Sequence, residues 1–193
     1  MSKPIDWIKV STLFSTSATL ILVLFTYIQV SRYENSMKAD FAHRMKKDFF
    51  NESQRNILFL FNNDLLEFKL FTNSDSSVYF PYFSLNKERV KYFQNDSIKL
   101  LPNVKDSYTT YEIEDLILNH FEDLNLYRKN GLIDDEYLYN GYTWYVESMY
   151  ENKQIVKLLE WMNSGSEKND SYSGFKELYL FIQKYENVKG IHR

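Results

Sequence analysis

Residues 111–131, YEIEDLILNHFEDLNLYRKNG, carry the clearest structural signal in the chain. Ile113, Leu116, Ile117, His120, Phe121, Leu124 and Tyr127 recur at the three- and four-residue steps of one helix face. That is the apolar stripe a helix buries against a core. Asn130-Gly131 ends it, because glycine enters the left-handed conformation that closes a helix at no steric cost. The same reading extends downstream. Asp134 opens a second helix with Tyr137, Leu138, Gly141, Trp144, Tyr145 and Met149 inward. A third carries Ile155, Leu158, Leu159 and Met162 and stops at Ser164-Gly165; a fourth, beyond SGSEKNDSYS, carries Phe175, Leu178, Tyr179 and Ile182. Four helices with short connections predict an antiparallel helical bundle over residues 110–193.

At the other end, residues 10–31, VSTLFSTSATLILVLFTYIQVS, hold no charge. A helix of that length rises far enough, at about 1.5 Å per residue, to cross a bilayer core of roughly 30 Å. The expectation is a retained transmembrane helix rather than a cleaved leader, since no small-residue cleavage site follows. Arg32, Lys38, Arg44, Lys46 and Lys47 follow the segment and only Lys3 and Lys9 precede it, so the C-terminal body is expected in the cytoplasm, anchored at the inner (plasma) membrane by one pass. Trp7 and Tyr27 lie where aromatic rings meet headgroups. Ser11, Ser15 and Thr19 form a small-residue stripe that points to self-association between two such helices. The alternative is that each hydroxyl bonds the carbonyl one turn back.

Between these ends, Tyr33, Met37, Phe41, Met45 and Phe49 recur every fourth residue and continue the helix as a stem over 32–71. Asn51 with Gln54 resembles a capping box that restarts it, with Ile57, Leu58, Phe61, Leu65 and Phe68 inward. Residues 72–109 hold two of the three prolines among many Ser, Asn and Asp and read as a loop-rich connector, with a short helix capped by Ser84 and carrying Val90 and Phe93. No period-two alternation is strong enough to demand a strand. The fold class expected is therefore all-α: short N-terminal segment 1–9, transmembrane helix 10–31, stem, connector, bundle.

Composition narrows function. A net charge of −3 disfavours sequence-independent nucleic-acid binding, which needs a basic stripe to displace counterions. Zero cysteines exclude disulfides, thiolate metal sites and cysteine nucleophiles. Sixteen Tyr and fifteen Phe supply core and interface area in a chain poor in Gly and Pro. No phosphate-binding, dinucleotide, nucleophile-elbow, zinc-protease or calcium-loop pattern occurs, and no cofactor is implied. The densest polar cluster is Asn119, His120, Glu122, Asp123 and Asn125. His120 lies on the apolar face and Glu122 about 200° away around the helix, so they do not converge. Asp115, Asn119 and Glu122 do share a face, which reads as a solvated polar surface; the alternative is a cation site completed by residues from elsewhere. His120 reads as a core histidine; its alternative role is catalytic base or ligand.

The stretch from Leu116 to Trp144 resembles the signature of an uncharacterised bacterial family of small proteins with one N-terminal transmembrane helix and a cytoplasmic helical domain. The family hallmark is similar to LNxFEx(6–8)GhhDEcxh. The matching positions are Leu118, Asn119, Phe121, Glu122, Gly131, Leu132, Ile133, Asp134, Glu136 and Trp144 or Tyr145. The arginine-containing segment of the family is not evident in ENKQIVKLLEWMNSG. The resemblance implies architecture, with Asn119, Phe121, Glu122, Gly131 and Asp134 as a structural signature. It implies no catalytic residue, and some members are suspected of stress or phage-defence roles.

These observations point to a membrane-anchored helical interaction or scaffold protein whose partners are the lipid bilayer and another protein or itself. Two rivals differ in class: an oligomeric membrane-perturbing effector acting through the striped span, and an enzyme using His120 and nearby acids.

Overall fold

The computed structural model describes residues 7–72, 79–93, 104–164 and 171–190; for 7–14, 72, 92 and 93 it describes the backbone only. The chain divides into two compact units, residues 1–44 and 45–193.

The first unit is most of helix α1 (Trp7–Phe49). Side chains from residue 15 to 37 are exposed. Ion pairs one turn apart, Lys38 with Glu34 at 3.1 Å and Arg44 with Asp40 at 2.8 Å, decorate its polar part. The expected transmembrane anchor is overturned: no helix of the described residues is long and apolar enough to cross a membrane. The unbroken apolar run is only Leu20–Phe25 in sequence, with Ser15, Thr16, Ser17 and Thr19 before it and Thr26, Gln29, Ser31 and Arg32 after it. A bilayer core asks for about 20 predominantly apolar residues, and hydroxyl and amide groups dilute this segment. The single-pass assignment and the inner-membrane placement with its cytoplasmic body rested on that span and fall with it. Within the stripe, the Thr19 hydroxyl donates to the Ser15 carbonyl at 2.9 Å, one turn back; the side chain of Ser11 lies outside the described residues.

The second unit departs from the all-α expectation. It contains α2 (Glu52–Asn62), a three-stranded antiparallel sheet in the order β1 (Leu66–Thr72), β2 (Tyr79–Leu85), β3 (Ser107–Thr109), and a short helix α3 (Lys87–Phe93). It continues as α4 (Thr110–Ile113), a π-helical turn over Glu114–Leu118, α5 (Asn119–Lys129), α6 (Asp135–Tyr150), α7 (Lys153–Asn163) and α8 (Ser173–Lys189). The Asn51 side chain accepts from the Gln54 N–H at 3.0 Å and starts α2 as its sequence suggests.

The missed strand has a local cause. Phe61, Leu65 and Phe68 keep helical spacing, but α2 stops at Asn62. Asp64 adopts φ 53, with its N–H on the Phe61 carbonyl and the Leu65 N–H on the Leu60 carbonyl. That is the glycine-type helix ending performed by an aspartate, a residue that tolerates the left-handed region. The Arg89 guanidinium meets the Asp64 carboxylate at 2.7 Å. Beyond it Leu66, Phe68 and Leu70 alternate with Glu67 and Lys69, and β1 pairs with β2 from Leu66↔Leu85 to Thr72↔Tyr79. Asn86, not Ser84, caps α3, accepting the Arg89 N–H at 3.0 Å; Ser84 is inside β2.

In the bundle, α8 packs between α5 and α6, and α7 lies along β1. Phe121 and Phe175 stack at 4.6 Å, and Phe49 meets Tyr142 at 5.3 Å and Phe121 at 5.5 Å. A second aromatic cluster joins α2 to the sheet through Phe61, Phe83 and Phe68. The inward faces differ from expectation at two places. The π turn inserts a residue into the helical phase, so Leu118 is buried while Leu116 and His120 are only partly covered. In α6 the buried set is Leu138, Tyr139, Tyr142, Thr143, Val146 and Met149, and Trp144 is 55% exposed. DEYLYNGYTWYVESMY carries large apolar rings on nearly every side, so periodicity alone does not select its inner face.

Candidate functional site

Asn119, Phe121 and Glu122 lie on α5, Gly131 in the turn that follows it, and Asp134 at the entry to α6. Gly131 has φ 67, with its own N–H on the Arg128 carbonyl at 3.0 Å and the Leu132 N–H on the Tyr127 carbonyl at 2.9 Å, closing α5. Asp134 is extended (φ −74, ψ 143) ahead of α6; its side chain makes no cap hydrogen bond and its carbonyl accepts the Leu138 N–H. Phe121 is fully buried. Glu122 reaches across to α8 and accepts the Phe175 N–H at 2.8 Å. A carboxylate there satisfies a first-turn N–H and the positive end of the helix dipole, a task that Tyr172, preceding α8, does not perform with its side chain. Gly174 makes room, since a Cβ in its place would collide with the Glu122 carboxylate.

His120 is half-buried, edge-on to Phe49 at 5.7 Å. Burial depresses its pKa, against the opposing pull of Asp123 and Asp48. The Glu122 carboxylate is engaged with α8 instead. Among the described residues no group of three or more His, Asp or Glu could hold a metal ion.

The π turn and Tyr172 mark a different place. Tyr172 has φ 61, an uncommon conformation for a bulky side chain and one that surrounding contacts must maintain. Its hydroxyl donates to Glu114 Oε2 at 2.9 Å, with Asn119 Oδ1 at 3.4 Å. Asn119 in turn donates to Asp115 Oδ1 at 3.1 Å. Burial first, then the hydrogen bond to Glu114, pushes the Tyr172 phenol far above its ordinary range, so it remains a donor at every physiological pH. The shared face of Asp115, Asn119 and Glu122 is therefore tied into α8 and the segment before it.

Glu114 also borders a groove of about 690 Å³ between the outer half of the β1–β2 hairpin, the start of α4 and the end of α7. Phe71, Tyr79, Phe80, Tyr82, Tyr111 and Trp161 line it, with Pro81, Thr109, Thr110 and Met162. Phe71, Phe80 and Tyr111 are 56%, 56% and 77% exposed. The backbone explains why the groove is open. β3 pairs with β2 only from Tyr82↔Thr109 to Ser84↔Ser107, after which the Thr109–Glu112 capping box turns the chain into α4. The Leu85 N–H reaches the Asp106 carbonyl, so by strand alternation Phe83, Pro81 and Tyr79 direct their backbone groups toward the β3 side. Among the described residues Pro81 therefore places its missing N–H on the stretch of the β2 edge that β3 leaves unpaired, which discourages another strand from pairing there. The opposite sheet edge is partly closed by α7, whose Gln154 Oε1 accepts the Phe68 N–H at 3.0 Å.

The sequence reading missed this groove because its walls lie up to 91 residues apart, from Phe71 to Met162. The local hint was the aromatic run YFPYF at residues 79–83 inside a segment otherwise read as loop. Comparison of the chain with family models, with curated proteins and with solved structures finds no match.

Proposed function

We propose that this protein is an interaction or scaffold protein that docks a polypeptide, from another protein or a second copy, in the aromatic groove. The observation that carries the reading is the gathering of exposed Phe71, Phe80 and Tyr111 with Trp161 around one concavity. Aromatic residues and Met are among the side chains enriched at protein interfaces, and Tyr and Trp rings supply large contact area at low entropic cost. The likeness of Leu116–Trp144 to the bacterial family supports a stress or phage-defence accessory role as the setting for that contact.

The test is photo-crosslinking in the cell with benzoylphenylalanine in place of Phe80, against the same group in place of Val188, an exposed position on α8. A discrete light-dependent adduct at position 80 and none at 188 is expected. Monomer alone at both positions, or the same adducts at both, refutes the reading.

A further inference from the structure

Resting on that reading, we propose that the groove selects its polypeptide by an arginine side chain flanked by apolar residues. Among the described lining residues the one charged group is Glu114; every other is aromatic, aliphatic or a neutral hydroxyl. A lone carboxylate in a groove also lined by Tyr111, Tyr82, Phe80 and Trp161 is the chemistry that receives a delocalised cation. Aromatic faces attract it through their quadrupoles, and the carboxylate neutralises it as water leaves. Guanidinium suits such walls better than ammonium, because it is planar, more weakly hydrated and able to stack while hydrogen-bonding in its plane.

One oxygen of the carboxylate has a partner from outside the groove lining. The Tyr172 hydroxyl donates to Oε2 at 2.9 Å, fixing the side-chain orientation while leaving lone pairs on both oxygens. Asp115 adjoins Glu114 on the same π turn and adds negative charge nearby. The chain already places a guanidinium on a ring within itself, with the Arg128 guanidinium 4.2 Å from the Phe181 ring centre and bonded to the neutral Asn125 Oδ1 at 3.0 Å. Recognition by a side chain, rather than by an added strand, also agrees with Pro81, which withholds a backbone donor from the open edge.

The experiment uses the full chain and two synthetic peptides, Gly-Leu-Phe-Arg-Leu-Phe-Gly and the same sequence with citrulline, the neutral isostere, for arginine. Calorimetric titration is expected to show the arginine peptide binding about tenfold more tightly, with the preference shrinking as salt rises. Glu114→Gln should abolish the preference, and Phe80→Ser should weaken both peptides. Equal affinity for the two peptides, no binding of either, or a preference that survives Glu114→Gln overturns the proposal. Should Glu114→Gln not fold, the comparison on the native chain decides alone. A crosslink at position 80 that the arginine peptide competes no better than the citrulline peptide would sink arginine selection while leaving the docking role standing. Absence of that crosslink, with the arginine preference intact in vitro, would do the reverse.

Discussion

Gly174→Ala should change sign with its genetic background, because its cost comes from displacing Glu122 rather than from the helix. An added Cβ would overlap Oε2 and lie 3.0 Å from Cδ and 3.2 Å from Oε1 of Glu122. The carboxylate is the far end of a flexible side chain and can swing away. Doing so breaks its hydrogen bond with the Phe175 N–H. A bond to a charged acceptor is worth about 1.5–3 kcal/mol, and the lower half applies here because Glu122 is only part-buried. Against that, alanine is favoured over glycine inside a helix by about 1 kcal/mol, and by roughly half of that in the first turn. The net expected for Gly174→Ala is a loss of about 1 kcal/mol. In a Glu122→Ala background the bond is already gone, so the same change should stabilise by about 0.5 kcal/mol, a coupling of about 1.5 kcal/mol. Urea unfolding followed by far-ultraviolet circular dichroism and by tryptophan emission measures all four corners of the cycle. An effect of the same sign and size in both backgrounds would refute the argument that Gly174 exists to admit Glu122.

Gly131→Val should destabilise by about 1–2 kcal/mol, since φ is positive while a Cβ there meets nothing within 4 Å, so the penalty is wholly backbone; Gly131→Asn should cost markedly less, and equal melting temperatures for the two variants would contradict this. The Tyr142 hydroxyl is buried without a hydrogen-bond partner among the described residues. Tyr142→Phe should therefore stabilise by about 1 kcal/mol, and a loss of stability in urea titration would reveal a partner for that hydroxyl. For His120, burial lowers the folded-state pKa below the ordinary value of 6.5. The unfolded chain then binds the proton more readily, so stability is full above about pH 6.5 and declines as pH falls from there through the depressed folded-state pKa. His120→Gln should flatten that part of the profile, and an unchanged slope between the two proteins would show that the imidazole is not desolvated.

The end of α5, the start of α6 and the end of α7 were legible because each is written in a few adjacent residues. Gly131 supplies the left-handed turn, Asp134 the extended entry, and their partners lie within five residues along the chain. The four helices of residues 110–193 follow from such signals together with apolar periodicity. Their inner faces were less secure. The π turn at Glu114–Leu118 shifts the phase of the stripe, and α6 is aromatic around most of its circumference. The membrane assignment failed for a related reason: absence of charge over residues 10–31 measures what the segment lacks, whereas crossing a bilayer depends on how much of it is apolar. Only the tertiary structure decided the sheet and the groove. β1 becomes a strand because β2 lies beside it, and a helix-like spacing at Phe61, Leu65 and Phe68 is overruled once Asp64 turns the chain. Phe71 and Trp161 line one concavity, and Tyr172 reaches Glu114 from 58 positions away. Contacts of that separation leave no local pattern, because what selects them is the burial and hydrogen bonding available after the elements have packed.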